Sequence, residues 1–215
     1  MSEDARTPLV VTIWEEYGSG ADEIGREVAA QLAMPYHAQA FSSEDIEAGA
    51  IPEEAVESEV QYVQSRIDLS RVLSAMSGAF GGSDGQDFRA ATEGQRELIA
   101  ENDATVTRFA AQGGVIVGRN ATVILADRPR TLHVLLTGDE ETRTAHAAEV
   151  AGISLELAQK RRRREDRIRT DMSKTLYGWD PRDASRYHLA ITTSRLPYDV
   201  AVAAIVNAAK AAASA

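Results

Sequence analysis

Residues 9–32, LVVTIWEEYGSGADEIGREVAAQL, contain a β-rich apolar run, a glycine turn and a helical pattern in that order. The apolar run at 9–14 predicts a buried strand, and Gly18-Ser19-Gly20 predicts a tight turn soon after it. The apolar residues that follow recur at helical spacing: Ile24, Val28 and Leu32. Backbone N–H groups and the helix dipole converge where such a turn enters a helix, so the segment predicts a phosphate-binding loop.

This loop lacks the lysine that phosphate-binding loops of its kind normally carry. A P-loop ends in Gly-Lys-Ser/Thr, whereas residues 20–25 read Gly-Ala-Asp-Glu-Ile-Gly, with two carboxylates and no lysine. A tight turn that only packs a helix against a strand would need the same glycines. The glycine pattern alone therefore leaves phosphate binding and simple packing equally open.

The composition of the 215 residues excludes several other classes of protein. The chain has no cysteine, so a disulfide framework and a thiolate metal site are both excluded. No apolar run approaches the ~20 residues of a membrane span, and the start, MSEDARTP, lacks the apolar region of a signal peptide. We expect a single α/β domain over residues 1–215, located in the cytoplasm and not in a membrane.

Charge is distributed unevenly along the chain, whose formal net charge is −10. Residues 1–110 carry 21 acidic and 7 basic side chains, whereas residues 111–215 carry 12 acidic and 16 basic ones. Positive charge is concentrated at 160–174, with eight basic and three acidic residues. This basic segment is either a solvated helical face or a contact for an anionic ligand.

Short apolar runs alternate with amphipathic segments along most of the chain, which predicts a mainly parallel sheet flanked by helices. Further strands are predicted at 33–37, 115–117, 132–136 and 187–192. Helices are predicted at 52–76, 92–112, 140–151, 154–170 and 197–213, and the glycine-rich stretch at 78–88 predicts a loop. Trp14 and Trp179 are interpreted as packing residues, and the four histidines show no metal-binding spacing.

Arg119 directly follows the strand predicted at 115–117. A guanidinium at this edge of a parallel sheet can bind a phosphate through two parallel hydrogen bonds. The alternative is an ordinary salt bridge at a strand end. Ser194, after the last predicted strand, is interpreted as a cap for the helix that follows.

The basic helix predicted at 154–170 presents two different faces of charged residues. Arg163, Arg167 and Thr170 share one face, and a second face carries Arg162, Asp166 and Arg169. Phosphoryl transfer is stabilised mostly by positioning and by cations around the moving group. A mobile arginine-rich element could supply these cations on closure, although a solvated helix or a contact with nucleic acid would show the same composition.

Together these segments resemble the nucleoside monophosphate kinases of the P-loop class, and most of all the cytidylate-kinase-like family. The stretch at 16–25 is similar to that family's EYGSGG-x-EIG opening, and 115–121 is similar to its VIVGR-x-A motif. The stretch at 187–194 is similar to its Tyr-x-Leu-x-Ile-x-Thr-Ser segment. The resemblance covers about residues 9–40 and 92–208.

The resemblance implies a three-layer α/β kinase fold with a helical acceptor-binding insertion at 41–91 and an arginine-rich lid at 154–182. It implies ATP with Mg²⁺ as the phosphoryl donor, and CMP or dCMP as the acceptor. The ATP phosphates would lie over the residues of the opening loop, Gly18, Ser19, Gly20 and Gly25. Mg²⁺ would bridge the phosphates mostly through water, with the Ser19 hydroxyl as a further candidate ligand.

The same resemblance assigns roles to residues of the later motifs. Arg119 and Asn120 would bind the acceptor, with Arg119 holding its phosphate. The lid would close over the transferring group with Arg163, Arg167 and Arg169.

Three departures from the family pattern favour an alternative in which the protein is not a catalyst. The family opening Ser-Arg-Glu-Tyr reads Trp-Glu-Glu-Tyr here, so that Glu15 stands where an arginine is usual. We assign the lysine position to Asp22 or Glu23 and the following hydroxyl to Gly25, and the acceptor-facing aspartate is Asn120. These changes predict, as the alternative, a non-catalytic nucleotide-binding or regulatory protein of the same fold.

A third hypothesis is a polyanion-binding protein that uses residues 160–174. The net charge of −10 argues against nucleic acid as the partner. Nucleotides are the expected ligands, and the sequence leaves open whether the chain forms a homo-oligomer.

Overall fold

The computed structural model describes residues 7–39 and 85–213, with side chains described from residue 95 onward in the second range. The predicted helix at 52–76 and most of the predicted insertion at 41–91 lie outside these residues. Within the described part of the chain, no helix is both long and apolar enough to cross a bilayer.

A five-stranded, fully parallel sheet forms the centre of the fold. In chain order its strands are β1 (Val10–Glu15), β2 (Tyr36–His37), β3 (Gly114–Val117), β4 (Thr131–Thr137) and β5 (Leu189–Thr192). Their order in the sheet is β2-β3-β1-β4-β5. Ile13 of β1 is level with Val117 of β3 and Val134 of β4, so the loops after these three strands meet at one edge.

Helices cover both faces of this sheet. Numbered among the described residues, they are α1 (Ala21–Leu32), α2 (Gly85–Gln112), α3 (Ala121–Ile124), α4 (Glu140–Ala151), α5 (Leu155–Tyr177) and α6 (Tyr198–Ala212), with a short 3₁₀ turn at Ala184–Arg186. Val11 belongs to a core cluster with residues of α1 and α6. Its neighbour Val10 belongs to a second cluster with α2 and α3. Because successive strand residues point to opposite faces, the two clusters define the expected three-layer α/β architecture.

The structure extends two predicted helices. α5 continues to Tyr177 instead of ending at Thr170, and Gly178 then ends it at φ 66° in the left-handed region. Glycine is the residue that most readily adopts this conformation at a helix end. α2 begins at Gly85, so the predicted loop at 78–88 is helical in its last four residues.

The prediction that Ser194 caps the closing helix is wrong. Pro197 precedes α6, and no side chain accepts a hydrogen bond from its first turn. The Ser194 hydroxyl instead accepts a hydrogen bond from the amide of Asp139 at 3.2 Å. Ser194 therefore fixes the loop between β4 and α4.

His133 of β4 is a buried titratable group within the sheet. Its Nδ1 lies 2.7 Å from the Thr12 hydroxyl of β1, and its ring stacks on that of His188 with 5.1 Å between centroids. Burial, with the neighbouring His188 as a second cause, lowers the pKa of His133 to about 4. The imidazole is therefore neutral in the folded protein at neutral pH.

We expect His133 to make folding pH-dependent between about pH 6.5 and pH 4. The unfolded chain binds this proton at the ordinary pKa of 6.5, so stability is complete above that pH and declines as the pH falls. The loss attributable to His133 is on the order of 3 kcal/mol at pH 4. Urea unfolding across this range, compared between the wild type and His133→Asn, should show a shallower decline in the variant. Parallel pH profiles would contradict the assignment.

Candidate functional site

The turn between β1 and α1 has the glycine geometry that the sequence predicts. Gly18 and Gly20 have φ values of 86° and 84°, a region that favours glycine. A Cβ atom on Gly18 would lie 2.4 Å from the Arg143 carbonyl oxygen, and one on Gly20 would lie 2.5 Å from the Tyr198 ring. Backbone conformation and close packing thus both require glycine here.

The first residue of α1 corrects the assignment of the missing lysine. Gly20 is the residue before the helix, and Ala21 is its first residue. In a P-loop the lysine directly follows the last glycine. The lysine position is therefore Ala21, not Asp22 or Glu23, and the hydroxyl position is Asp22, not Gly25.

Ser19 and Gly25, both predicted to contact nucleotide, lie away from open space. Ser19 is fully buried, and its Oγ has no hydrogen-bond partner among the described residues. Gly25 lies inside α1, where a Cβ atom would come within 2.9 Å of the Tyr36 ring and 3.2 Å of a Val117 methyl group. Gly25 thus lets α1 pack closely on the sheet.

Two adjoining cavities open beside this turn. The glycine-loop cleft, about 400 Å³, is bordered by the turn, the start of α1 and the end of α4. The Arg119 cavity, about 50 Å³, is bordered by the turn after β3 and by α5. Three residues border both cavities and form the wall between them: Glu15, Gln39 and Arg169.

The Glu15 carboxylate lies at the N-terminus of α1. Its Oε2 accepts a hydrogen bond from the Ala21 amide at 3.1 Å. Its Oε1 accepts hydrogen bonds from Gln39 Nε2 and from an Arg169 guanidinium nitrogen, each at 3.1 Å. The first amides of a helix have no partner within the helix and attract anions, so Glu15 occupies an anion position of the loop.

Arg169 compensates the charge of Glu15. Its side chain is 11% exposed and also lies 3.3 Å from the Glu165 carboxylate, while its guanidinium is 5.5 Å from the centre of the Tyr17 ring. Burial alone would lower the pKa of Arg169, but the Glu15 and Glu165 carboxylates outweigh it and raise that pKa above its usual value. The negative charge of Glu15 is thus paired within the protein.

The Asp166 carboxylate of α5 binds the same turn from the other side. It accepts a hydrogen bond from the Tyr17 amide at 2.8 Å. It is also ion-paired with Arg143 of α4 at 3.1 Å and with Arg162 at 3.6 Å. One buried carboxylate therefore connects the turn with α4 and α5.

Arg143 completes this connection through backbone contacts. It donates hydrogen bonds to the Tyr17 carbonyl at 2.9 Å and to the Gly138 carbonyl at 3.0 Å, and it lies 3.8 Å from Glu16. Arg143 has no recognisable signal in the sequence, since it is an isolated arginine in an amphipathic helix. Arg162 and Asp166 are recognisable in the sequence, because their spacing places them on the same helical face as Arg169.

Arg119 and Asn120 form the floor of the smaller cavity. Both have left-handed backbones, with φ values of 59° and 55°. Arg119 Nε donates to the Ala38 carbonyl at 3.0 Å. The Asn120 side-chain oxygen accepts hydrogen bonds from Ser173 Oγ at 2.7 Å and from Trp179 Nε1 at 2.9 Å, which holds the turn after β3 against α5.

The other two arginines predicted for the lid lie elsewhere on α5. Arg163 and Arg167 are exposed, and Arg167 pairs with Asp171 at 3.5 Å. Neither borders the two cavities. The structure thus brings Arg169 together with Arg119 and the glycine turn, and it places Arg163 and Arg167 at the surface.

His146 of α4 also borders the glycine-loop cleft. Its Nδ1 donates a hydrogen bond to the Gly18 carbonyl at 3.1 Å, and its Nε2 lies 3.8 Å from the Glu23 carboxylate. The sequence alone predicts no role for this histidine. No spacing pattern marks it, because it meets the turn only through the fold.

The glycine-loop cleft has the volume for a phosphate-bearing ligand but not the charge. Carboxylates of Glu15, Asp22 and Glu23 border it beside the single arginine Arg169, which is already paired. In this arrangement Arg169 is held by Glu15 and is not available to a triphosphate in the cleft. Among the described residues there is also no group of three or more His, Asp or Glu side chains that could hold a metal ion.

A family model and one relative agree with the motifs of this chain. A model of the cytidylate kinase-like family matches residues 10–195. A cytidylate kinase of Methanopyrus kandleri is 31% identical over 127 residues, which are 55% of this chain and 66% of that protein. A uronate isomerase of Corynebacterium glutamicum is 28% identical over 111 residues, which are 52% of this chain but only 21% of that protein.

A solved structure of an uncharacterized protein from Eubacterium ventriosum shares the fold. Its TM-score is 0.63 at 18% sequence identity, over 94% of this chain and 98% of that one. At this identity the likeness concerns the fold alone.

We expect Asp166→Asn to destabilise the protein by about 3 kcal/mol, because it leaves two buried guanidinium groups without their shared carboxylate. The matched control is Asp171→Asn on the same helix, whose pair with Arg167 is exposed and should contribute less than about 1 kcal/mol. Guanidinium chloride unfolding followed by circular dichroism measures both variants. Equal effects would show that Asp166 does not organise the turn.

Proposed function

The chain belongs to the cytidylate kinase-like family, and from this premise we propose that it transfers a phosphoryl group from ATP, bound with Mg²⁺, to a nucleoside monophosphate. CMP or dCMP is the acceptor to test first, because the relative from Methanopyrus kandleri is named a cytidylate kinase. We further propose that the protein acts in the cytoplasm.

The observation that carries this proposal is the placement of two arginines beside the glycine turn. Arg119 borders one cavity and Arg169 borders both. Phosphoryl transfer depends on cations that hold the acceptor phosphate close to the transferred group. Adjoining cavities that share Arg169 are a suitable arrangement for two phosphate-bearing ligands.

Each arginine has a role in the proposal. Arg119 holds the acceptor phosphate, and Asn120, fixed by Ser173 and Trp179, keeps the turn that carries Arg119 in place. Arg169 stands between the two ligands. Arg163 and Arg167 would contribute only after a movement of α5, so their roles depend on closure.

A second candidate, a nucleotide-binding or regulatory protein without catalysis, is favoured by one observation. The P-loop lysine position is Ala21, and the amide of that same residue binds the Glu15 carboxylate. A loop that lacks its lysine and binds its own carboxylate is poorly suited to stabilise a triphosphate during transfer.

Turnover distinguishes the two candidates. Purified protein is incubated with Mg-ATP and a panel of nucleoside monophosphates, and ADP release is measured. Release that requires one monophosphate supports the kinase. ATP binding without turnover supports the regulatory protein, and RNA binding with steep salt dependence would favour a polyanion-binding role instead.

We expect Arg119→Lys to lower kcat/KM for the acceptor by roughly 100-fold, because lysine cannot form two parallel hydrogen bonds to a phosphate. Arg164→Ala, which removes an exposed arginine of α5, is the matched control and should retain activity within about twofold. Thermal unfolding of both variants checks that they are folded. Equal activities would remove Arg119 from the site.

A further inference from the structure

We propose that Glu15 sets the affinity of the glycine-loop cleft for phosphate, because its carboxylate occupies the position that a phosphate of a polyphosphate ligand would take. The inference rests on the proposed function in assuming that phosphate binds at this turn. It adds that the Glu15 carboxylate and a phosphate group of the ligand compete for the same hydrogen-bond donors.

The contacts of Glu15 are those of a bound anion. One oxygen accepts the first amide of α1, and the other accepts an amide N–H of Gln39 and an N–H of Arg169, all at 3.1 Å. These three donors belong to a helix N-terminus, a neutral side chain and a buried cation. Such donors bind phosphate oxygens as well as carboxylate oxygens.

Two further amides of the turn are also satisfied internally. The Tyr17 amide donates to Asp166 at 2.8 Å, and the Ser19 amide donates to the Glu16 carbonyl at 3.1 Å. Among the charged side chains that border the cleft, only Glu15 binds both Ala21 and Arg169. A phosphate that binds both the Ala21 amide and Arg169 therefore has to displace this carboxylate.

Glu15 also forms part of the wall between the two cavities. Its release from Arg169 would turn this guanidinium toward a phosphate and connect the glycine-loop cleft with the Arg119 cavity. Separation of Glu15 from Arg169 would therefore free the turn for phosphate and also bring the two ligand sites into contact.

The test measures phosphate binding directly. Tripolyphosphate and metal-free ATP are titrated into the wild-type chain and into Glu15→Gln by isothermal titration calorimetry. Glutamine has nearly the same shape but no charge, so we expect binding to strengthen on the order of tenfold through loss of like-charge repulsion. A residue with a purely structural role would not improve binding when replaced.

The matched control is Glu23→Gln, which removes a charge that borders the same cleft but lies beside His146, at 3.8 Å. It should change the affinity by less than about threefold. Equal strengthening in both variants, or none in Glu15→Gln, would overturn the inference. If Glu15→Gln is too unstable for titration, Glu15→Ala is compared with the wild type by the shift in Tm that tripolyphosphate produces, and a larger shift in the variant is expected.

ADP release by the same variants separates this inference from the proposed kinase activity. Stronger phosphate binding by Glu15→Gln without any turnover supports the role of Glu15 and removes the kinase. Turnover in the wild type with unchanged phosphate binding in Glu15→Gln retains the kinase and overturns the role of Glu15. Where both hold, KM for ATP should fall in Glu15→Gln.

Discussion

The Asp166 carboxylate connects the turn after the first strand to two helices that follow more than a hundred residues later. It accepts the Tyr17 amide and pairs with guanidinium groups from α4 and α5. Buried charges persist only when they are paired and hydrogen-bonded. The conformation of the glycine turn, the position of α4 and the position of Arg169 on α5 therefore depend on one another, and none of them is fixed by local sequence alone.

The fold was largely predictable because its signals are local. Continuous apolar runs such as Val10 and Val11 are buried on both faces of a parallel sheet, and this pattern is visible in the sequence. The predictions were wrong where contacts between distant parts of the chain determine the role of a residue. Ser194 has the composition of a helix cap, yet its hydroxyl bonds to Asp139, which lies next to it only after β4 and β5 have paired.

The candidate site was predictable only in part. The glycine turn and Arg119 follow strands, and the rule for parallel sheets places them at one edge. Helical spacing could not choose between the two charged faces of α5, because both satisfy it equally. The face of Arg162, Asp166 and Arg169 is the buried one because it meets Tyr17, Arg143 and Glu15, and these contacts exist only in the folded chain.

The Glu15 carboxylate at the start of α1 reduces the free energy that phosphate binding can gain at the turn. Arg169 and the Ala21 amide already bind a carboxylate, so a phosphate gains only the difference between its own contacts and those that Glu15 gives up. The contacts of Glu15 with Arg169 and the Ala21 amide stabilise the acidic loop, and they thereby weaken its attraction for other anions. Because the donors remain in place, the loss is reversible: a change that neutralises or moves Glu15 restores a cation and a helix N-terminus to the cleft.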